Sequence, residues 1–291
     1  MNVWKTRLSL LLLCQVVLAG GLWAFSYHRE ASQTQSTYLF DFRPEDIDKI
    51  ELIQGEQSLL LTKSNGSWLL PDHDQLPASQ NDVDNLLKGV KELTVREPET
   101  TTESSHHRLG VSEDDAGDRV KLYAGEDLVV DLLVGKAPVF DQRYLRVAGS
   151  EETYRAEGRG LNVRARGAFW LDKGLLSSGP IERFIHPEFE LVREGDQWRS
   201  GETELDQEKV DALLGHLERL KVVDIAHEVT ASEQTTEVTV ETREGHTYKY
   251  SLFEQNGKYY ITRDDLAQVF EVPENDAKSL TEANLKQLFE S

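Results

Sequence analysis

Five apolar positions of this chain, Val83, Leu86, Leu87, Val90 and Leu93, recur as Val210, Leu213, Leu214, Leu217 and Leu220, each 127 positions further on. Spacing of i, i+3, i+4, i+7 and i+10 puts each set on one stripe of an amphipathic helix. A lone tryptophan precedes each stripe, Trp68 and then Trp198. A chain that repeats one helix in one setting is constrained to two similar units, and 291 residues suffice for two medium domains.

The flanking patterns repeat as well. Ser58–Lys63, a turn at Asn65-Gly66 and Ser67–Leu70 read as a hairpin. Phe189–Arg193, Glu194-Gly195-Asp196 and Gln197–Arg199 form its counterpart. Ser79, with Asp82 three residues on, is placed to cap the first helix, and Asp206 the second. Four strands are expected after each helix. They are Val120–Ala124, Leu128–Val134, Tyr144–Val147 and Thr153–Ala156, then Glu237–Thr242, Thr247–Phe253, Tyr259–Thr262 and Val269–Val272. The expected fold is α+β: two tandem similar units, each a mainly antiparallel sheet with a packed helix, behind one N-terminal transmembrane helix.

That helix is read from Leu8–Tyr27, twenty residues without a charge. At about 1.5 Å per residue they span roughly 30 Å, the thickness of a bilayer core. Lys5 and Arg7 precede the run, so the positive-inside rule keeps residues 1–7 in the cytoplasm and exports the rest. Ala19-Gly20-Gly21 offers a small-residue face for close helix contact. Two other readings stay open: a signal peptide cut after Val17-Leu18-Ala19, and a lipoprotein acylated at Cys14. Leu13, where a small residue is wanted, stands against the second, and apolarity continuing through Trp23-Ala24-Phe25 favours the retained anchor. The expected organisation is then a tether at 28–40, a first unit at 41–160, a connecting helix at 161–180, a second unit at 181–275 and a C-terminal helix at 276–291. The expected topology is single-pass, with the bulk of the chain outside the membrane.

After Tyr27 the chain carries 30 basic and 52 acidic residues, net −22, which repels phosphate backbones and excludes nucleic acid as an expected partner. Cys14 is the single cysteine, so no intramolecular disulfide and no cysteine zinc site can form. Neither a phosphate-cradling glycine loop, nor a Gly-x-Ser-x-Gly elbow, nor a His-Glu-x-x-His helix is present. His106-His107 with Glu113-Asp114-Asp115, and Asp72-His73-Asp74, lack the geometry of metal ligands and read as solvated loops. No cofactor, metal or catalytic residue is assigned, and the chain is read as no enzyme. One window departs from the acidic background. Arg143, Arg146, Arg155, Arg159, Arg164, Arg166 and Lys173 face four acids between 143 and 173, net +3. These seven are candidates for an anionic ligand, headgroup or acidic partner. Salt bridges and solvated charge are the alternative.

Ile47-x-x-Ile50 before a hairpin, Trp68, the helix at 79–93, Leu109-Gly110-Val111, Leu132-Leu133-Val134-Gly135-Lys136 and Tyr144-Leu145-Arg146 leading to Tyr154 occur in that order. Over roughly residues 41–275 the chain thereby resembles the bacterial domain of unknown function numbered 4340. The second copy departs from the pattern, with no Leu-Gly-Val element and with Glu254-Gln255 in place of the Gly-Lys pair. The resemblance implies a membrane-anchored extracytoplasmic protein encoded beside ABC-type transport subunits of the gliding-motility kind. The expected function is a non-enzymatic accessory or scaffold protein of such a complex, its partners permease subunits or other inner-membrane proteins. A stand-alone binding module for an envelope glycan or peptide is the alternative, and an unrecognised hydrolase a third reading.

Overall fold

A computed structural model describes residues 36–114, 117–157, 161–226, 228–230 and 234–289. The Leu8–Tyr27 segment lies outside the described residues. Among those described, no helix is long and apolar enough to cross a membrane. In chain order the first half holds β1 (Thr37–Tyr38), β2 (Lys49–Gln54), β3 (Gln57–Ser64), β4 (Ser67–Leu70), β5 (Leu76–Pro77), α1 (Gln80–Lys91), β6 (Thr94–Val95), α2 (Glu103–Leu109), β7 (Asp118–Ala124), β8 (Asp127–Val134), β9 (Gln142–Val147) and β10 (Thr153–Glu157). The second holds α3 (Gly167–Trp170), β11 (Ile181–His186), β12 (Phe189–Glu194), β13 (Gln197–Ser200), β14 (Thr203–Glu204), α4 (Gln207–Glu218), β15 (Asp224–Ala226), β16 (Thr236–Thr242), β17 (Thr247–Gln255), β18 (Lys258–Arg263), β19 (Val269–Val272) and α5 (Glu274–Thr281).

The chain forms two compact units. One comprises the described residues up to Gly66 together with Asn81–Ala165, the other Ser67–Gln80 together with Arg166 onwards. Each is built on a large antiparallel sheet. In the first unit six strands run in the order β10-β9-β8-β7-β2-β3. Alternation puts Ile50 and Leu52, Val120 and Leu122, and Val130 and Leu132 on the buried face, and α1 buries Val83, Leu86, Leu87 and Val90. In the second unit nine strands run β14-β13-β12-β11-β16-β17-β18-β19-β15. The strand order of the first sheet therefore recurs, with β11 for β2, β12 for β3 and β16–β19 for β7–β10. In both, the segment after the helix comes alongside the last strand: Thr100 bridges Thr153 of β10, and β15 pairs with β19.

Helix α4 is fixed at its start by Asp206, whose Oδ1 accepts from the Glu208 and Lys209 amides at 3.1 and 3.2 Å. Its first residue, Gln207, holds the backbone of buried Trp198 in both directions, accepting from the amide at 2.6 Å and donating to the carbonyl at 3.1 Å. His216 on α4 meets Asp276 on α5 at 2.7 Å. The Asn256-Gly257 turn joining β17 to β18 has φ of 56° and 76°, the left-handed pair that a two-residue hairpin loop requires.

Three expectations are corrected. The connecting helix expected within 161–180 is one turn, α3. The Asp172 amide is instead taken by the Pro77 carbonyl at 2.9 Å, and Leu171 bridges Ala78, so the backbone is drawn away from helical pairing. The C-terminal helix starts at Glu274, directly after Pro273, and stops at Thr281. Asn284 then accepts from the Lys286 amide to cap a separate 3-10 turn, Leu285–Leu288. His106-His107, expected in a loop, sits on α2.

Candidate functional site

The elements peculiar to the first unit meet at one place. Helix α2 ends at Gly110, whose φ of +74° turns the chain and whose amide reaches the carbonyls of His106 and His107. Leu109 and Val111 then pack with Leu133 of β8 and Tyr144 of β9. Gly135 passes so close beneath this turn that a Cβ would overlap the Leu109 carbonyl oxygen and stand 2.7 Å from Val111 Cγ1. The Lys136 amide donates to that same carbonyl at 2.9 Å, and its ammonium donates to the Arg108 carbonyl at 2.8 Å. Leu-Gly-Val and Gly-Lys, distant in sequence, are thus two sides of one contact.

Arg146 closes the frame. It is 6% exposed, and its guanidinium donates to the Val111 carbonyl at 2.6 Å and the Ser150 carbonyl at 2.7 Å. Glu113 lies 3.5 Å from it and also accepts from the Gly149 amide. His106, equally buried, is 2.9 Å from the Glu151 carbonyl. Beside the frame, Arg119 and Asp131 form a two-bond pair at 2.6 Å each, and the Asp131 carboxylate holds the Arg119 guanidinium above its ordinary pKa. Burial raises the carboxyl of Asp118, opposed by a bond from Gln54 and the charge of Arg143. The second unit places a comparable arginine on β18. Arg263 is buried, donates to the Leu175 carbonyl at 2.8 Å and to Asp265, and lies 4.5 Å over the Tyr248 ring.

The frame holds the Gly135–Asp141 loop between β8 and β9. The loop is closed at its foot by the Gly135 amide on the Tyr144 carbonyl and the Tyr144 amide on the Lys136 carbonyl, at 2.8 and 3.1 Å, and turned at its tip by the Gln142 amide on the Val139 carbonyl at 3.2 Å. At its tip Phe140 is 92% and Val139 58% exposed. The second unit has the tight Asn256-Gly257 turn at the matching position. The elements expected from the sequence include neither the tip nor α2. Pro138-Val139-Phe140, two bulky apolar residues behind a proline between strands, was the available signal.

The seven basic candidates separate. Arg143, Arg146, Arg155 and Arg164 belong to the first unit, Arg166 and Lys173 to the second, and Arg159 lies outside the described residues. Arg143 and Arg164 are exposed. Arg155 pairs with Glu99 at 3.6 Å, Arg166 pairs with Asp224, and Lys173 donates to the Val223 carbonyl at 2.8 Å. Next to the loop's foot lies a polar cleft of about 530 Å³, lined by Arg96, Glu97, Glu99, Gln142, Arg155 and Glu157 among others. Its mixed charges suit a polar ligand bearing both donors and acceptors. Among the described residues no group of three or more His, Asp or Glu side chains is placed to hold a metal ion.

No curated protein and no solved structure matches the chain. A family model, the domain of unknown function DUF4340, matches residues 68–244, which include α2, the Gly-Lys contact and Arg146. With more than half of its length matched, and with the matched stretch holding the motifs that build the frame, the chain belongs to the DUF4340 family.

Proposed function

We propose that the chain is a membrane-anchored accessory subunit that works outside the bacterial inner membrane by binding rather than catalysis, beside an ABC-type transport complex. The observation that carries this reading is the closeness of the uncharged Leu8–Tyr27 run to the fold. Strand β1 begins at Thr37, ten residues past the run, pairs with β6, and is followed by the Leu39 amide on the Leu93 carbonyl. A unit tied down so soon after an anchor is held at the membrane surface, where transporter subunits are its natural neighbours. The frame supports the binding half of the reading, because its buried polar groups, Arg146 and His106, are engaged by backbone carbonyls and are not poised toward a reacting atom.

The test is purification of the tagged full-length protein from its native membrane in mild detergent. Permease and ATPase subunits should co-purify in fixed proportion, and charge reversal at Arg164 and Arg166 should lower their recovery. A folded protein recovered alone refutes the reading. A second reading, a stand-alone module for an envelope glycan or peptide, is favoured by the polar cleft at Arg155. It predicts binding of such fragments without membrane partners, lost in Arg155→Glu.

A further inference from the structure

We propose that the Val139-Phe140 tip is a second, interfacial contact with the bilayer, dipping its two apolar side chains among uncharged headgroups while the N-terminal segment crosses; the inference rests on the anchor reading above.

Three observations point to it. First, the tip is apolar and uncovered, Phe140 at 92% and Val139 at 58% exposure, yet it stands on a close-packed base. Gly135 is locked under Leu109, and Arg146 ties the base to Val111. A rigid mount presents a wedge, whereas a slack loop would fold its phenylalanine back onto the protein.

Second, the chain enters from the same end of the sheet. Ser36, the first described residue, lines the same cleft as Gln142 at the loop's foot and Glu157 at the end of β10. Gln142 pairs with Glu157, so these are strand ends on one side. Only residues 28–35 separate Ser36 from Tyr27. Eight residues reach at most about 28 Å when fully extended, and about 16 Å as a flexible coil. The plane of the membrane therefore lies within reach of the loop.

Third, the charge near the tip selects the lipid. Lys136 and Arg143 stand at the loop's foot, but Glu56, Asp118 and Asp141 share that end of the sheet, and the part after Tyr27 is net −22. Anionic headgroups would be repelled, so the surface that fits is zwitterionic, entered by apolar burial.

The experiment uses the full-length chain in phosphatidylcholine–phosphatidylethanolamine proteoliposomes, with Cys14→Ser removing the native thiol. An environment-sensitive fluorophore is attached at Val139→Cys, or at Glu126→Cys in the β7–β8 turn. That turn is at the opposite end of β8, about 25 Å away. The expected result is a blue-shifted label at 139, quenched several-fold more strongly by lipid-borne nitroxide than the label at 126, and returned to the aqueous phase by Phe140→Asp. Equal quenching of both positions by aqueous iodide overturns the proposal. So does protection of position 139 from both quenchers that grows with the protein-to-lipid ratio, which assigns the tip to a second copy. Alkaline carbonate extraction, run in parallel, separates the two ideas. A chain released by carbonate refutes the anchor and the tip with it, whereas a retained chain with an aqueous tip refutes the tip alone.

Discussion

Replacing Gly135 by alanine should loosen the first unit from within. The added Cβ would overlap the Leu109 carbonyl oxygen, lie 2.7 Å from Val111 Cγ1 and lie 3.2 Å from the Gly110 carbonyl carbon. Two of these neighbours are backbone, fixed by the helix end, and cannot swing aside as a flexible side chain would. Overpacking of this kind costs about 1–3 kcal/mol. Pushing the turn away also stretches the Lys136 amide bond to Leu109, worth about 1 kcal/mol more. The sum, about 2–4 kcal/mol, lowers the melting temperature of a unit of this size by ~5–15 °C. Gly117→Ala is the control, because its Cβ would stand at ordinary contact distance, 3.4 Å from the Val134 carbonyl oxygen and 4.0 Å from the Gly110 carbonyl oxygen. Two units need not melt together, so the assay is hydrogen exchange read by mass spectrometry alongside thermal unfolding of the full chain. Exchange should accelerate in peptides covering 103–114 and 133–147 and stay unchanged in β16–β19. A Gly135→Ala protein that melts and exchanges like Gly117→Ala would refute the idea that this contact is tight.

Arg146→Lys keeps the charge but loses the planar fork that reaches two carbonyls, and should cost about 2–3 kcal/mol in urea unfolding. An effect under about 0.5 kcal/mol would show the carbonyls are satisfied otherwise. Asp206→Ala removes the α4 cap and should cost about 1 kcal/mol, largely restored by Asp206→Ser; a neutral alanine variant contradicts the cap. Burial lowers the pKa of His186, which stacks on Phe189 at 4.8 Å. The unfolded chain therefore takes up a proton below about pH 6.5 while the folded one resists it. That contribution is complete above pH 6.5 and is lost as the pH falls toward the lowered folded value. In His186→Phe the drop in urea midpoint between about pH 7.5 and about pH 5.5 should shrink, and an unchanged drop would place the titrating group elsewhere.

Strands and paired helices were legible because their signals are local. Alternation marked β7, β8, β16 and β17, an Asn-Gly pair marked the β3–β4 turn, and an aspartate marked the start of α4. What was missed depends on partners distant in the chain. Glu103–Leu109 has no apolar periodicity. It is helical because His106 and Leu109 bury and Gly110 stops it. Leu161–Leu175 has helical spacing, yet Pro77 and Ala78 claim the backbone of Leu171 and Asp172. Of the basic window, composition revealed the cations but not their engagement. Arg146 is a buried pin, and Arg155 and Arg166 each hold an acid.

The membership of Ser67–Gln80 in the second unit bears on how the molecule is made. This stretch buries Trp68, Leu70 and Leu76, and it is held in part through the Ser79 amide on the Trp170 carbonyl and the Asp172 amide on the Pro77 carbonyl. During synthesis it emerges first, and the residues that hold it follow roughly ninety positions later, on the order of 5–20 s at ribosomal speed. For that interval a tryptophan and two leucines have no finished home, while the strands β7–β10 of the first unit are only then being made. The nascent chain thus passes through a stage with sticky surface at residues 67–80, and a holding chaperone would meet it there rather than at the tip of the emerging chain.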